Sequence, residues 1–173
     1  MEHLVKDAVE RGISPTDLVS EIHSVVCQRF PSERFVTLFY AEIEPTTGLI
    51  EYVNAGHPDG LIYRPSTGQM EIAGPTGSLL GVFETLAEFQ SATNYLDNND
   101  ILTIFTDGAI EAKTETGEQL GDEPIREMIK QYAHLEAQEM ADRMVAAIES
   151  VTVPQSRDDL TVVCIKRTDV FPV

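Results

Sequence analysis

The sequence predicts an α+β domain with mostly antiparallel sheet, and three observations carry that prediction. Between residues 35 and 105 apolar side chains recur with a period of two, in short runs broken by turn residues. A pair of helical stripes precedes this stretch, over residues 2–29. A second pair follows it, over residues 122–151. A meander of hairpins with paired helices at both ends fits no purely parallel design.

In chain order, residues 2–11 place Leu4, Val5, Ala8 and Val9 on one helical face, with no convincing cap at the start. Gly12 ends this helix. Ser14 is the expected N-cap of the next, with Pro15 at its first position and Asp17 in its first turn. That helix runs to about Arg29, with Leu18, Ile22, Val25 and Val26 inward. Strands are expected over Phe35–Ile43 and Leu49–Asn54, joined around Pro45-Thr46-Thr47-Gly48. Leu61–Arg64 and Gln69–Ile72 form a second hairpin around Pro65-Ser66-Thr67-Gly68. Glu88–Leu96 and Ile101–Phe105 form a third across Asp97-Asn98-Asn99-Asp100. This acidic tetrapeptide lacks the alternating ligands and distal Glu of a calcium loop and reads as a turn. Helices follow from Asp122 to about Tyr132 and over Ala137–Val151, the latter lined by Met140, Met144 and Ile148 as core filler. A polar loop over residues 152–158 leads to a closing strand, from Leu160 to about Lys166.

At 173 residues the chain has the length of one domain, able to bury about 70% of its unfolded surface. A single domain over 1–173 is expected, with helices in 1–30 and the sheet core in 35–173. The formal net charge of −17 argues against a nucleic-acid partner and against an anionic membrane surface. No apolar run approaches the ~18 residues needed to span a bilayer. The two cysteines, Cys27 and Cys164, sit in dissimilar elements and are expected to be reduced and buried, as in a cytoplasmic protein.

The stretch with chemistry in it is Ile101-Leu102-Thr103-Ile104-Phe105-Thr106-Asp107-Gly108. It reads as a strand buried on both faces that ends in a carboxylate, and a charge there must be paired, hydrogen-bonded or bound to a cation. Asp158-Asp159 stands directly before the closing apolar strand. If the two strands are neighbours, their acidic ends converge on hard cations such as Mg²⁺ or Mn²⁺. A pair of such ions acidifies water and clamps a phosphate ester. On periodicity alone, Asp107 capping a turn and Asp158-Asp159 capping a loop explains the same residues. His57, in Asn54-Ala55-Gly56-His57-Pro58, sits at a Gly/Pro-punctuated strand end where a site role and a structural role both stay open. There is no Gly-x-Ser-x-Gly, no Walker loop, no His-Glu-x-x-His and no Cys-x-x-Cys.

Taken together, Phe35–Ala41, Asn54-Ala55-Gly56-His57-Pro58, Leu80-Gly81, Thr106-Asp107-Gly108-Ala109-Ile110-Glu111-Ala112 and Asp158-Asp159-Leu160-Thr161 resemble a known family in order and in type. The family is the PPM-type, metal-dependent serine/threonine protein phosphatases. Within its bacterial branch, the chain is similar to stage II sporulation protein E and the stress-response sigma-factor regulators. The resemblance covers nearly the whole chain. It implies an αββα sandwich of two mostly antiparallel sheets flanked by helices. It also implies two Mn²⁺ or Mg²⁺ ions and direct hydrolysis of phosphoserine. Asp107 and Asp158 match metal ligands of the family and Asp159 is a weaker match; Gly108, Gly56 and His57 are expected close to the site. The implied substrate is a phosphorylated anti-anti-sigma factor or similar regulator. Residues 2–29 match the switch helices that relay signals from an upstream sensory domain and can take part in a homodimer.

One motif of the family is missing here. No Asp-x-x-Gly-His-Gly run occurs in the chain, and that run supplies the carboxylate bridging both metals. An uncapped first helix is expected of a chain that enters the domain just after that motif. On this reading the domain is N-terminally truncated, inactive or nearly so by itself, with open sheet edges that invite oligomerisation. A non-catalytic phosphatase-like module that docks a regulatory protein is the competing reading. A phosphotransferase with an aspartyl-phosphate intermediate would need an Asp-x-Asp-x-[Thr/Val] loop, which the sequence lacks.

Overall fold

The computed structural model describes residues 2–30, 34–82, 88–156 and 158–168. In chain order its elements are α1 (Glu2–Arg11), α2 (Pro15–Arg29), β1 (Leu38–Ile43), β2 (Leu49–Ala55), β3 (Gly60–Arg64), β4 (Gln69–Ala73), β5 (Ala92–Tyr95), β6 (Ile101–Phe105), α3 (Gly108–Glu111), α4 (Asp122–Tyr132), α5 (Ala137–Val151) and β7 (Val162–Lys166). They divide between two compact units, Met1–His57 with Gly74–Tyr95, and Pro58–Ala73 with Leu96–Val173.

The first unit packs α1 and α2 with a three-stranded antiparallel sheet of order β1-β2-β5. Gly12 closes α1 with φ +64, a conformation that glycine adopts without a Cβ penalty. Ser14 caps α2 as predicted, its Oγ accepting from the Asp17 N–H at 3.2 Å, with Pro15 in the first turn. The inward face of α2 is Leu18, Val19, Ile22, His23 and Val26. Val25, expected there, is only half-buried, and Val19 and His23 are the residues the stripe missed. Ala8 of α1 is buried in the same core; the side chains of Leu4 and Val9 fall outside the described set. His23 Nδ1 accepts from the Gly81 N–H at 3.2 Å and its ring meets Phe89 edge-on, so a polar residue on the inner face is used as a cross-link.

The second unit holds a four-stranded antiparallel sheet of order β4-β3-β6-β7, with α4 packing on β3 and α5 on β7. Ile125, Ile129, Met140, Met144 and Ile148 are fully buried against Leu61, Ile101 and Phe105. The stripe read from the sequence over Ala137–Val151 is therefore the core face of α5, and Ile125 and Ile129 form that of α4. Lys166 Nζ, at the end of β7, donates to the carbonyls of Ala133 and Leu135 just past α4, where a cation complements the helix C-terminus.

Strand pairing and strand bounds need correction. The third hairpin does not form: β5 pairs with β2 while β6 pairs with β3 and β7, so the two strands belong to different sheets. Residues 97–100 are a turn, but one that hands the chain from sheet to sheet. Its Asp100 is buried and ion-paired with Arg64 of β3, which makes it a structural anchor. The first strand also begins at Leu38 and not at Phe35, since Val36 makes only an isolated bridge to Leu80.

Both cysteines are free, but half-buried where full burial was expected. Burial pushes the Cys164 thiol up to about 11, with Thr103 pulling weakly the other way. Its thiolate fraction at pH 7.5 is then about 100-fold below that of an ordinary thiol, partly offset by the greater nucleophilicity of a more basic thiolate. Iodoacetamide is expected to label Cys164 about tenfold more slowly in the folded chain than in urea. Equal rates, read by peptide mass spectrometry, would contradict this placement.

Candidate functional site

The antiparallel register of β6 and β7 ends at Phe105↔Val162 and brings the two acidic strand ends together. One residue further, the Thr106 N–H donates to the Thr161 carbonyl at 3.1 Å. The Thr106 hydroxyl accepts from the Thr161 N–H at 2.9 Å and donates to the Asp159 carbonyl at 2.7 Å. Asp107 then turns into helical geometry (φ −54, ψ −29) and caps α3, its Oδ1 accepting from the Gly108 N–H at 2.9 Å.

Gly108 is buried, and its lack of a side chain is what allows the close approach. A Cβ there would lie 2.7 Å from the Asp159 carbonyl oxygen and 3.3 Å from the Asp158 carbonyl carbon. Backbone of the 158–159 loop therefore rests directly on the α3 turn. Gly108→Ala must push that loop away, and overpacking of this kind costs roughly 1–3 kcal/mol. A urea titration of the variant with an unchanged midpoint would refute the close approach.

The carboxylates of Asp107, Asp158 and Asp159 are all exposed. Asp158 Oδ1 accepts from the Asp159 N–H at 2.8 Å, the same local arrangement that Asp107 makes with Gly108. Each bond uses one oxygen and leaves the second of Asp107 and of Asp158 uncommitted among the described residues. Exposed carboxylate oxygens on two loops held in contact are the hard donors suited to Mg²⁺ or Mn²⁺. The donor type fits such a cation; among the described residues, however, no three His, Cys, Asp or Glu side chains group closely enough to hold one.

Gly56 and His57 form their own cluster, within the first unit. Gly56 takes φ +69 and rests on the Leu79 side chain. The His57 N–H donates to Asn54 Oδ1 at 2.9 Å, and its Nδ1 lies 3.2 Å from Thr37 Oγ1. Asn54 is fully buried, and its Nδ2 has no protein partner among the described residues. Nothing in the residue pattern distinguishes Thr106 and Thr161 from ordinary strand threonines. Their cross-bonding becomes visible only when the strands are paired.

Two antiparallel sheets with flanking helices are the architecture of the PP2C-type phosphatase domain. Against the SiaA-PP2C domain of Pseudomonas aeruginosa the TM-score is 0.77 at 14% identity, covering 95% of this chain and 65% of that one. The phosphatase domain of the cell fate determinant SpoIIE from Bacillus subtilis, in a Mn-presoaked form, gives 0.64 at 20% identity over 98% of this chain and 73% of that one. RsbX in complex with magnesium gives 0.65 at 17% identity, over 94% and 70%. The chain belongs to the stage II sporulation protein E (SpoIIE) family, whose model matches residues 1–168. It is homologous to two phosphoserine phosphatases of Bacillus subtilis strain 168. With RsbU it shares 26% identity over 158 residues, 91% of this chain and 47% of RsbU. With RsbP it shares 30% over 112 residues, 62% of this chain and 27% of RsbP. The chain thus spans about half the length of the first relative and about a quarter of the second.

Proposed function

We propose that this chain is the catalytic domain, or most of it, of a metal-dependent protein serine phosphatase in partner-switching signalling. The observation that carries the reading is the seat of the Asp158-Asp159 backbone on Gly108, which holds the loops of two acidic strand ends in contact. Family membership and the phosphoserine phosphatases RsbU and RsbP support the reaction class. The Mn-presoaked SpoIIE and magnesium-bound RsbX structures support Mn²⁺ or Mg²⁺ as cofactor.

In this reading Asp107 and Asp158 hold the cation, and Asp159 stands beside them as a lesser ligand. The cation supplies Lewis acidity, acidifying water for attack on the phosphate ester and offsetting charge on its oxygens. It also reverses the local field of a strongly acidic protein, so that a phosphorylated partner can approach. Gly108 keeps the two loops in contact. The substrate is a phosphorylated anti-anti-sigma-factor-like protein in the cytoplasm; α1 and α2 carry the signal of an upstream sensory domain and contribute to a homodimer. With only these carboxylates and no Asp-x-x-Gly-His-Gly run, residues 1–173 alone turn over poorly.

The test is Mn²⁺-dependent release of phosphate from a phosphoserine protein. It is run on residues 1–173 and on the same chain joined to an N-terminal segment that carries Asp-x-x-Gly-His-Gly. Activity only in the joined form supports the proposal; none in either form, with Mn²⁺ or Mg²⁺, refutes it. The absence of a three-ligand group among the described residues favours one second reading, a non-catalytic docking module. That module would bind no Mn²⁺ by calorimetry even when joined.

A further inference from the structure

We propose that Thr106 is a positioning residue, whose hydroxyl fixes the Asp158-Asp159 loop on the end of β6 and so sets the spacing of the carboxylates assigned to the cation. The inference rests on the metal reading above. Past Phe105↔Val162, the next antiparallel partners are Thr106 and Thr161, and half of their exchange survives as Thr106 N–H to Thr161 carbonyl at 3.1 Å. The other half cannot form in the usual way. The Thr106 carbonyl has been taken by the Ala109 N–H at 2.9 Å, because the chain is already turning into α3.

The Thr161 N–H would therefore lose its acceptor where β6 leaves the ladder. The Thr106 hydroxyl takes the place of the missing carbonyl at 2.9 Å and passes its own proton to the Asp159 carbonyl at 2.7 Å. One side chain thus extends the β6–β7 pairing into the acidic loop without any backbone pairing there. Its reach spans the two residues beyond β7 that flank Leu160, and Asp158 hangs directly before them. Gly108 prevents the loop from being held off; Thr106 prevents it from drifting away.

A hydroxyl is required and a methyl is not, which makes the substitutions informative. Thr106→Val keeps the strand-compatible shape and removes the bridge. Thr161 and Asp159 are exposed, so water can replace both lost bonds and the melting temperature is expected to move little. The carboxylate spacing has no such substitute. Groups that orient metal ligands are worth about 10–100-fold in metal affinity.

The experiment is a Mn²⁺ titration of the ¹⁵N-labelled chain, read by paramagnetic broadening of amide signals, with hydrogen exchange of the Thr161 amide measured alongside. In wild type, broadening centred on residues 106–108 and 158–161 is expected. Thr106→Val should need about 10–100-fold more Mn²⁺ for equal broadening and should lose Thr161 protection, with the remaining spectrum unchanged. Thr106→Ser should restore both. Should valine fail to fold at this position, Thr106→Ala gives the same comparison. Unchanged Mn²⁺ dependence in a folded variant that has lost Thr161 protection would overturn the positioning role alone. If residues 106–108 and 158–161 are broadened neither in residues 1–173 nor in the chain joined to an Asp-x-x-Gly-His-Gly segment, the metal reading falls and this inference with it.

Discussion

Replacing Asp107 by alanine is expected to remove Mn²⁺-dependent phosphoserine hydrolysis by at least about 100-fold, since even groups that only orient metal ligands cost up to that much. The change does two things at once, and they can be separated. It deletes a negative donor from the strand end, and it deletes the cap that accepts from the Gly108 N–H at 2.9 Å. Loss of a cap costs about 0.5–2 kcal/mol, here in a helix of only four residues. Asp107→Asn keeps an oxygen for the cap while removing the charge. It should therefore fold like wild type and still lose activity in the joined form described above. If Asp107→Asn retains full Mn²⁺-dependent activity, Asp107 is a cap and nothing more. That result would remove the main residue on which the phosphatase assignment stands.

Arg64→Met is expected to destabilise the second unit by about 3–5 kcal/mol, the cost of leaving one partner of a buried ion pair behind. Asp100 has a side chain only 1% exposed, and Arg64 is 16% exposed. The Asp100 carboxylate faces Arg64 and also accepts from the Asp97 N–H at 2.9 Å. Its Oδ1 is buried with no protein partner among the described residues, so it has no reserve once the guanidinium is gone. Arg64 meanwhile also binds Glu71 at 2.6 Å, and that bond, more than Asp100, raises the guanidinium pKa. Glu71 is 40% exposed and can turn to water; Asp100 cannot. Glu71→Gln is thus expected to cost under about 1 kcal/mol, as exposed pairs do. The double change Arg64→Met with Asp100→Leu should recover much of the loss. Urea midpoints for the three variants decide this. An Arg64→Met chain as stable as wild type would mean that Asp100 is not held as described.

These results separate two kinds of information. Local features were written in the residues themselves. Ser14-Pro15 and Asp17 specify a capped helix start because cap and first-turn chemistry involve neighbours in sequence. The hairpins around Pro45–Gly48 and Pro65–Gly68 formed as read, because such turns are local and their strands follow immediately. Met140, Met144 and Ile148 line a buried face because a 3.6-residue period fixes one side of a helix.

The third hairpin failed for the opposite reason. Alternation marks Ala92–Tyr95 and Ile101–Phe105 as strands, but a strand's partner depends on which distant edge buries it best. The turn between them is held by such a distant contact: the Asp100 carboxylate sits against Arg64, 36 residues away, and no local pattern announces that.

By itself, then, the sequence determined most of the elements, the acidic strand end at Asp107 and the acidic pair Asp158-Asp159 before the closing strand, because these follow from residue type and short-range spacing. Only the tertiary structure decided which strands share a sheet, that Gly108 lies against the Asp159 backbone, and that Thr106 bridges the two loops. Those features depend on contacts between residues some fifty positions apart, whose geometry is set by packing and strand register and not by any neighbour in the chain.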